Sequence, residues 1–441
     1  MNPNARSAGT VLFRGLRPYG DEATDVLIHD GVIEKIGRGI DAAGAETVDV
    51  AGLIALPGLV DLHTHLREPG NGRAETIESG TRAAVAGGYS AVFAMANTDP
   101  VGDTPEVVEL VWQRSQCLGW CDVYPIGAVT LDLAGRELAD LEALAASAAR
   151  VRVFSDDGHC VDDAALCREA LWRTAAFGGV FAQHAQCGKL AGDGQVHEGM
   201  VSKVRQLAPW PGVAEETIIA RDLALLAEAA PRGARLHVCH ISTARSVAML
   251  RVAKEQGLPV TAEVTPHHLA LVDLAGLTGE TRFKVNPPLR GPEDVIAVRE
   301  GLADGTIDIV ATDHAPHEES AKALDWPSAP PGMIGLETAL AVVAETMVNS
   351  GRMTWRDVAR VMSERPAEIG GVGDRHGRQL SEGEPANICF VGTSETRVPE
   401  ESSMSMSSNT PFTGFPVSSQ IVATLVRGRI CFDPRGIFES D

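Results

Sequence analysis

Short apolar runs recur along the middle of the chain, each closed by a polar residue. Such runs end at Asn97, Asp157, His184, His240, near His267 and at Asp313. Helical periodicity fills the intervals, as over residues 215–230 and 244–256. Repeated strand-then-helix units imply parallel strands, and about eight of them in about 300 residues predict a closed (β/α)8 TIM-like barrel. A doubly wound open sheet is the competing fold, but no Gly-x-Gly-x-x-Gly loop follows the first strand. Both ends of the chain read differently. Residues 26–29 and 32–36 flank Asp30-Gly31, a two-residue hairpin signal, and residues 386–391 and 421–426 read as further short strands. Residues 393–408, rich in Ser, Glu and Met, are expected to form an exposed loop with no function.

In the barrel type predicted here, catalytic groups sit at the C-terminal ends of strands, where this chain places its polar residues. After the apolar run 53–60 comes Asp61-Leu62-His63-Thr64-His65-Leu66-Arg67-Glu68. Strand alternation would project His63, His65 and Arg67 from one face and send Leu62 and Leu66 into packing on the other. The same parity puts His184 on the face of Val180 and Ala182, His240 on that of Leu236 and Val238, and Asp313 on that of Ile307, Ile309 and Ala311. A single such histidine is more often a hydrogen-bonded core residue than a ligand. Four histidines and one or two aspartates at one end of a barrel change that balance, because buried carboxylates are costly unless paired or bound to metal. Imidazole and carboxylate without thiolate suit zinc, with manganese or cobalt as substitutes.

Barrel hydrolases of this kind often bridge two metals with a carboxylated lysine. No lysine occurs between Lys35 and Lys189, so a bridge arising before His184 must be a plain carboxylate. Asp156 and Asp157 are the candidates, and parity does not choose between them. Other polar residues carry weaker expectations. His267 and His268 are expected to be hydrogen-bonded structural groups, and His159 and His197 to be solvated in loops. Cys117 and Cys121 read as packing thiols rather than a metal pair, and Gly87-Gly88 as a turn.

Composition narrows the function classes. With 441 residues, 44% hydrophobic and 22% charged, the chain has the make-up of a globular protein large enough for a barrel and a smaller domain. A formal net charge of -21 argues against nucleic acid and requires that any anionic substrate be met by locally placed arginines. Residues 1–10 lack the apolar core of a secretory signal, and no apolar stretch reaches the roughly 20 residues that span a bilayer. The 8 scattered cysteines do not suggest a disulfide scaffold, so the cytoplasm is the expected compartment.

Taken together, these segments resemble a known family. Asp61-Leu62-His63-Thr64-His65-Leu66-Arg67-Glu68-Pro69-Gly70 resembles the first signature of dihydroorotases, and Ala311-Thr312-Asp313-His314-Ala315-Pro316-His317 the second. Ala96-Asn97-Thr98-Asp99-Pro100, Phe154-Ser155-Asp156-Asp157-Gly158, His237-Val238-Cys239-His240-Ile241-Ser242 and Val285-Asn286-Pro287-Pro288-Leu289-Arg290 match in order and spacing. The chain is most similar to the bacterial long-chain (class I) group within the amidohydrolase superfamily. One departure is Met95-Ala96 before Asn97, where relatives often carry proline.

The resemblance implies metal ligation by His63, His65, Asp157, His184, His240 and Asp313, with one or two zinc ions per subunit. It implies that Arg67, Asn97 and His317 hold a substrate carboxylate beside His65. Asn286 would lie near a pyrimidine ring, and Pro331-Gly332 would contact substrate. It further implies a small β-sandwich domain built from both chain ends (1–56 and 374–441) around a barrel spanning 57–373, a homodimer, and a possible association with aspartate carbamoyltransferase. The implied reaction interconverts N-carbamoyl-L-aspartate and L-dihydroorotate in pyrimidine biosynthesis, with Asp313 as general base and acid. Hydantoinases and allantoinases are the rival enzymes. A catalytically inactive barrel that scaffolds aspartate carbamoyltransferase is the rival of another kind.

Overall fold

The computed structural model describes residues 9–399 and 404–438. Eight short parallel strands form the central layer: β1 (Leu59–Thr64), β2 (Tyr89–Ala94), β3 (Asp122–Pro125), β4 (Val153–Phe154), β5 (Val180–Gln183), β6 (Leu236–Val238), β7 (Val260–Val264) and β8 (Ile309–Val310). β1 to β3 pair in order, as do β4 to β8. Parallel bridges from Gly127 to Phe154 and from Thr64 to His314 join the two sets into a closed α/β barrel. Helices follow most strands, the longest at Val213–Ala229, and Ala244–Glu255 matches the second expected helix to within a residue. Val60, Leu62, Ala91, Phe93, Val153, Ala182 and Ile309 fill the interior, with Ile369, at the end of the helix Arg365–Ile369, and Val372 just after it packed against them.

A second sheet is assembled from both ends of the chain. Strands Val11–Pro18, Thr24–His29, Val32–Gly37, Glu46–Asp49 and Ile54–Pro57 share one eight-stranded sheet with Ile388–Arg397, Pro416–Val426 and Arg429–Phe432. The expected hairpin is present: Asp30 and Gly31 both have positive φ, 47° and 80°, as a type I′ turn needs. Edge-to-face contacts among Phe13, Phe390 and Phe438, with centroids 5.2 to 5.6 Å apart, form the heart of its apolar face.

The apolar run 53–60 is divided between the two sheets: Ile54–Pro57 pairs antiparallel with Ile388–Arg397, and Leu59–Thr64 enters the barrel. Gly58 makes the changeover, where a Cβ would lie 2.7 Å from that of Ser90. The segment 393–408 is not simply an exposed loop. Its first part continues a strand to Arg397, and Ser405 and Ser407 are buried against Glu75 and Ala74. Residues 400–403 of that segment, and residues 1–8 of the N-terminal stretch, lie outside the described residues. No helix among the described residues is long and apolar enough to cross a membrane.

Candidate active site

The six expected ligands converge at the C-terminal rim of the barrel. His63 is the penultimate residue of β1 with His65 just beyond the strand, Asp157 follows β4, His184 follows β5, His240 follows β6 and Asp313 follows β8. Asp157 presents a different oxygen to each half of the cluster. Its Oδ2 lies 3.3 Å from His63 Nε2 and 3.4 Å from His65 Nε2. Its Oδ1 lies 3.2 Å from His184 Nδ1 and 3.3 Å from His240 Nε2. Asp313 Oδ1 completes the first half, 3.0 Å from His65 Nε2 and 3.4 Å from His63 Nε2. Asp156, the alternative bridge, points elsewhere and accepts from the Val129 and Thr130 amides and the Thr130 hydroxyl.

The hydrogen bonds around the rings explain why a cation fits. His63 Nδ1 donates to Glu263 Oε1 (2.6 Å), His65 Nδ1 to Asn97 Oδ1 (2.9 Å) and His184 Nε2 to Gln186 Oε1 (2.7 Å). Each ring, when neutral, therefore turns a lone pair toward carboxylate oxygens that are themselves acceptors. Acceptors facing acceptors in a buried pocket repel unless protons or a cation lie between them. His63 Nε2 is buried with no hydrogen-bond partner. The ligand atoms of His63, His65 and Asp313, and those of His63, Asp157 and His240, lie within 4.8 Å of one another. Without a cation, protons stay on the rings: burial opposes ionisation of Asp157, but the charge of protonated His63 and hydrogen bonds from His184 and His240 outweigh it and hold its carboxyl well below the usual range.

The parity argument located this rim but misread its backbone. β6 and β8 stop at Val238 and Val310, and His240 and Asp313 lie past those ends with φ of 29° and 48°. Arg67 is likewise off the strand, at φ 58°, because β1 pairing ends at Thr64. Non-glycine residues held at positive φ are strained, and their clustering here matches the tendency of strain to collect at functional sites. Glu263 was missed by sequence reasoning. It binds His63 Nδ1, the His240 amide and His237 Nε2, and so orients two of the ligands. Its signal was a carboxylate inside the apolar strand Val260–Val264.

The expected substrate contacts line the same rim. Arg67 is half-buried and donates from Nε to Pro316 O at 3.1 Å. Asn97 touches both His65 and the Asp157 carbonyl, and Asn286 Nδ2 donates to Gln186 Oε1 at 2.9 Å beside His184. His317 donates from Nε2 to Pro331 O at 2.8 Å, and burial, then Arg67, lowers its pKa to about 3, leaving the ring neutral. Gly332 has φ 141°, and a Cβ there would meet His317 Nε2 at 2.7 Å. His268 is hydrogen-bonded as expected, to Thr265 Oγ1 and Pro287 O, but both histidines lie in a short helix (Pro266–Ala270), and His267 Nε2 has no partner. His159 is exposed, whereas His197 is half-buried against Arg290 rather than solvated.

Family models described as dihydro-orotase-like and as the amidohydrolase family match residues 52–246 and 213–431. A dihydroorotase of Streptomyces coelicolor is 54% identical over 95% of this chain and 97% of its own length. One of Mycobacterium tuberculosis is 51% identical over 96% and 98%. The chain belongs to the dihydroorotase family. Among solved structures, this dihydroorotase-family chain is similar to an L-hydantoinase (dihydropyrimidinase) from Arthrobacter aurescens, with a TM-score of 0.85, 25% identity and 96% of each chain covered. A dihydropyrimidinase from Brevibacillus agri, at 22% identity and a TM-score of 0.83 over 96% and 94% of the chains, shares the fold.

Proposed function

We propose that the chain is a dihydroorotase, catalysing the reversible interconversion of N-carbamoyl-L-aspartate and L-dihydroorotate. The observation that carries this reading is Arg67, a half-buried guanidinium held at Pro316 beside the ligand cluster, where a substrate with a free carboxylate gains most. His63, His65, Asp157, His184, His240 and Asp313 would hold zinc, with manganese or cobalt able to substitute, and the two-sided contacts of Asp157 favour two ions. When bound, such a cation supplies water of lowered pKa and draws electron density from the carbonyl under attack.

The chain's own residues do the rest. Asp313 accepts the proton of the attacking water and returns it to the departing ring nitrogen, and the reverse order closes the ring. Arg67 and Asn97 hold the carboxylate, and His317 joins them by exchanging its bond to the Pro331 carbonyl. Asn286 and the Pro331-Gly332 turn bound the ring. His65 packs between substrate and Asp313. We also read the sheet from the chain ends as a small β-sandwich domain (1–56 and 374–441) beside a barrel of 57–373. The expected setting is a cytoplasmic homodimer, with aspartate carbamoyltransferase as a possible partner.

The hydantoinase reading is favoured by the fold likeness, but it offers no use for a guanidinium at this rim and commonly relies on an early lysine that this chain lacks. Purified protein should hydrolyse dihydroorotate, with divalent metal measured on the same sample. Turnover of hydantoin or allantoin without turnover of dihydroorotate would overturn the assignment. Metal without turnover of any of the three would favour the scaffold reading.

A further inference from the structure

The residue just past the segment expected to be a functionless loop (393–408) has a side chain that reaches the rim. Asn409 is buried, and all its side-chain bonds go to the two backbone stretches that flank the anion-binding side of the site. Its Oδ1 accepts from the His317 amide at 3.2 Å, and its Nδ2 donates to Ala315 O at 3.0 Å and Gly332 O at 3.1 Å. Its own carbonyl accepts from the Ile334 amide at 3.3 Å. The carbonyl of Gly332 is gripped a second time, by Lys322 Nζ at 3.1 Å, and the same buried ammonium holds Pro330 O at 3.0 Å. Gly332 lies so close to the His317 ring that a Cβ there would strike it.

We infer that Asn409 is a positioning residue for substrate-carboxylate recognition, clamping the His317 backbone to the Gly332 turn with Lys322 as the second jaw. This rests on the reading that His317 and Gly332 meet the substrate. Asn409 touches no ligand atom of the metal cluster, so the inference separates binding from chemistry. A residue that only supported the fold would lower stability and leave the two kinetic constants of the folded protein unmoved.

The test uses the full-length, metal-loaded enzyme and steady-state kinetics with dihydroorotate. Asn409→Ala should raise KM about tenfold, the equivalent of one ordinary hydrogen bond lost. Its kcat should change far less, and its metal content should match the parent. The double variant Asn409→Ala/His317→Ala should have a KM close to that of His317→Ala alone, because both changes disable one unit. If Asn409→Ala fails to fold, Lys322→Met carries the same test, with the same split between KM and kcat expected. An unchanged KM in the Asn409 or Lys322 variant alongside a raised KM in His317→Ala overturns the inference and leaves the anion-pocket reading standing. An unchanged KM in all of them overturns both.

Discussion

The barrel rim and the sheet built from the chain ends solve opposite problems. The sheet buries Phe13 and Phe390 on extended strands and packs Phe438, from the turn after its last strand, against them. The rim buries His63, His184, His240, Asp157 and Asp313, and holds two of these at positive φ. In the sheet each residue is stabilised by leaving water, and no single partner is indispensable. At the rim each residue is tolerable only because of the others. Asp157 alone would be a costly buried charge, yet with four imidazoles around it the carboxylate form is the favoured one. The difference teaches where function is concentrated: in the region whose groups could not be buried singly.

Substitutions should separate the regions cleanly. The largest effect is expected for Asp313→Asn, which should cut kcat about a thousandfold, within the range for loss of a general acid–base. Metal analysis of the variant checks that its ligands remain loaded. Phe390→Ala should cost about 3–5 kcal/mol of stability by leaving a cavity in the sheet, seen as a lower Tm, while the kcat of folded protein is retained. A matching loss of kcat would mean that the sheet and the rim are not independent. Arg67→Met should raise KM for dihydroorotate about 50-fold with little change in kcat, as expected when a charge-assisted contact to an anion is removed. An unaltered KM would remove the argument that separates this chain from hydantoinases.

The smallest effect concerns the join between the two regions. Asp122 of β3 lies 2.9 Å from His376 Nε2 and 2.5 Å from Arg427 Nη1, in the turn before the last strand of the sheet. Burial opposes its ionisation, but His376 and Arg427 prevail and depress its pKa. A depressed carboxyl stabilises the fold above its unfolded pKa of about 3.9, and that contribution fades as pH falls through the folded value. Asp122→Asn should therefore cost about 2 kcal/mol at pH 7, and the gap from the parent should shrink below about pH 4. Denaturant unfolding across that range measures it, and a gap independent of pH would exclude the ion pair as its source.

The sheet's hairpin could be read locally, since Asp30-Gly31 specifies its own turn. The barrel was legible from repetition, and the gathering of the expected ligands at one rim was legible because most of them follow an apolar run. The choice between Asp156 and Asp157 was not legible from parity. It depends on which carboxylate finds amide donors at Val129 and Thr130, a contact from a distant loop. Arg67 was placed on the correct rim for the wrong reason, because alternation cannot announce where a strand stops pairing. Glu263, Lys322 and Asn409 were invisible as site residues for a common reason. Their roles lie in hydrogen bonds to groups far away in the chain, and no local spacing encodes those.

The pairing of Ile54–Pro57 with Ile388–Arg397 has a consequence for synthesis. A chain growing on the ribosome makes this strand early, beside Val11–Pro18, but its other neighbour exists only after the whole barrel has emerged. Asn409, which ties down the His317 backbone, emerges later still. A chain cut short before Asn409 would also lack Pro416–Val426 and Arg429–Phe432, so Ile388–Arg397 would be left as an open edge of the sheet.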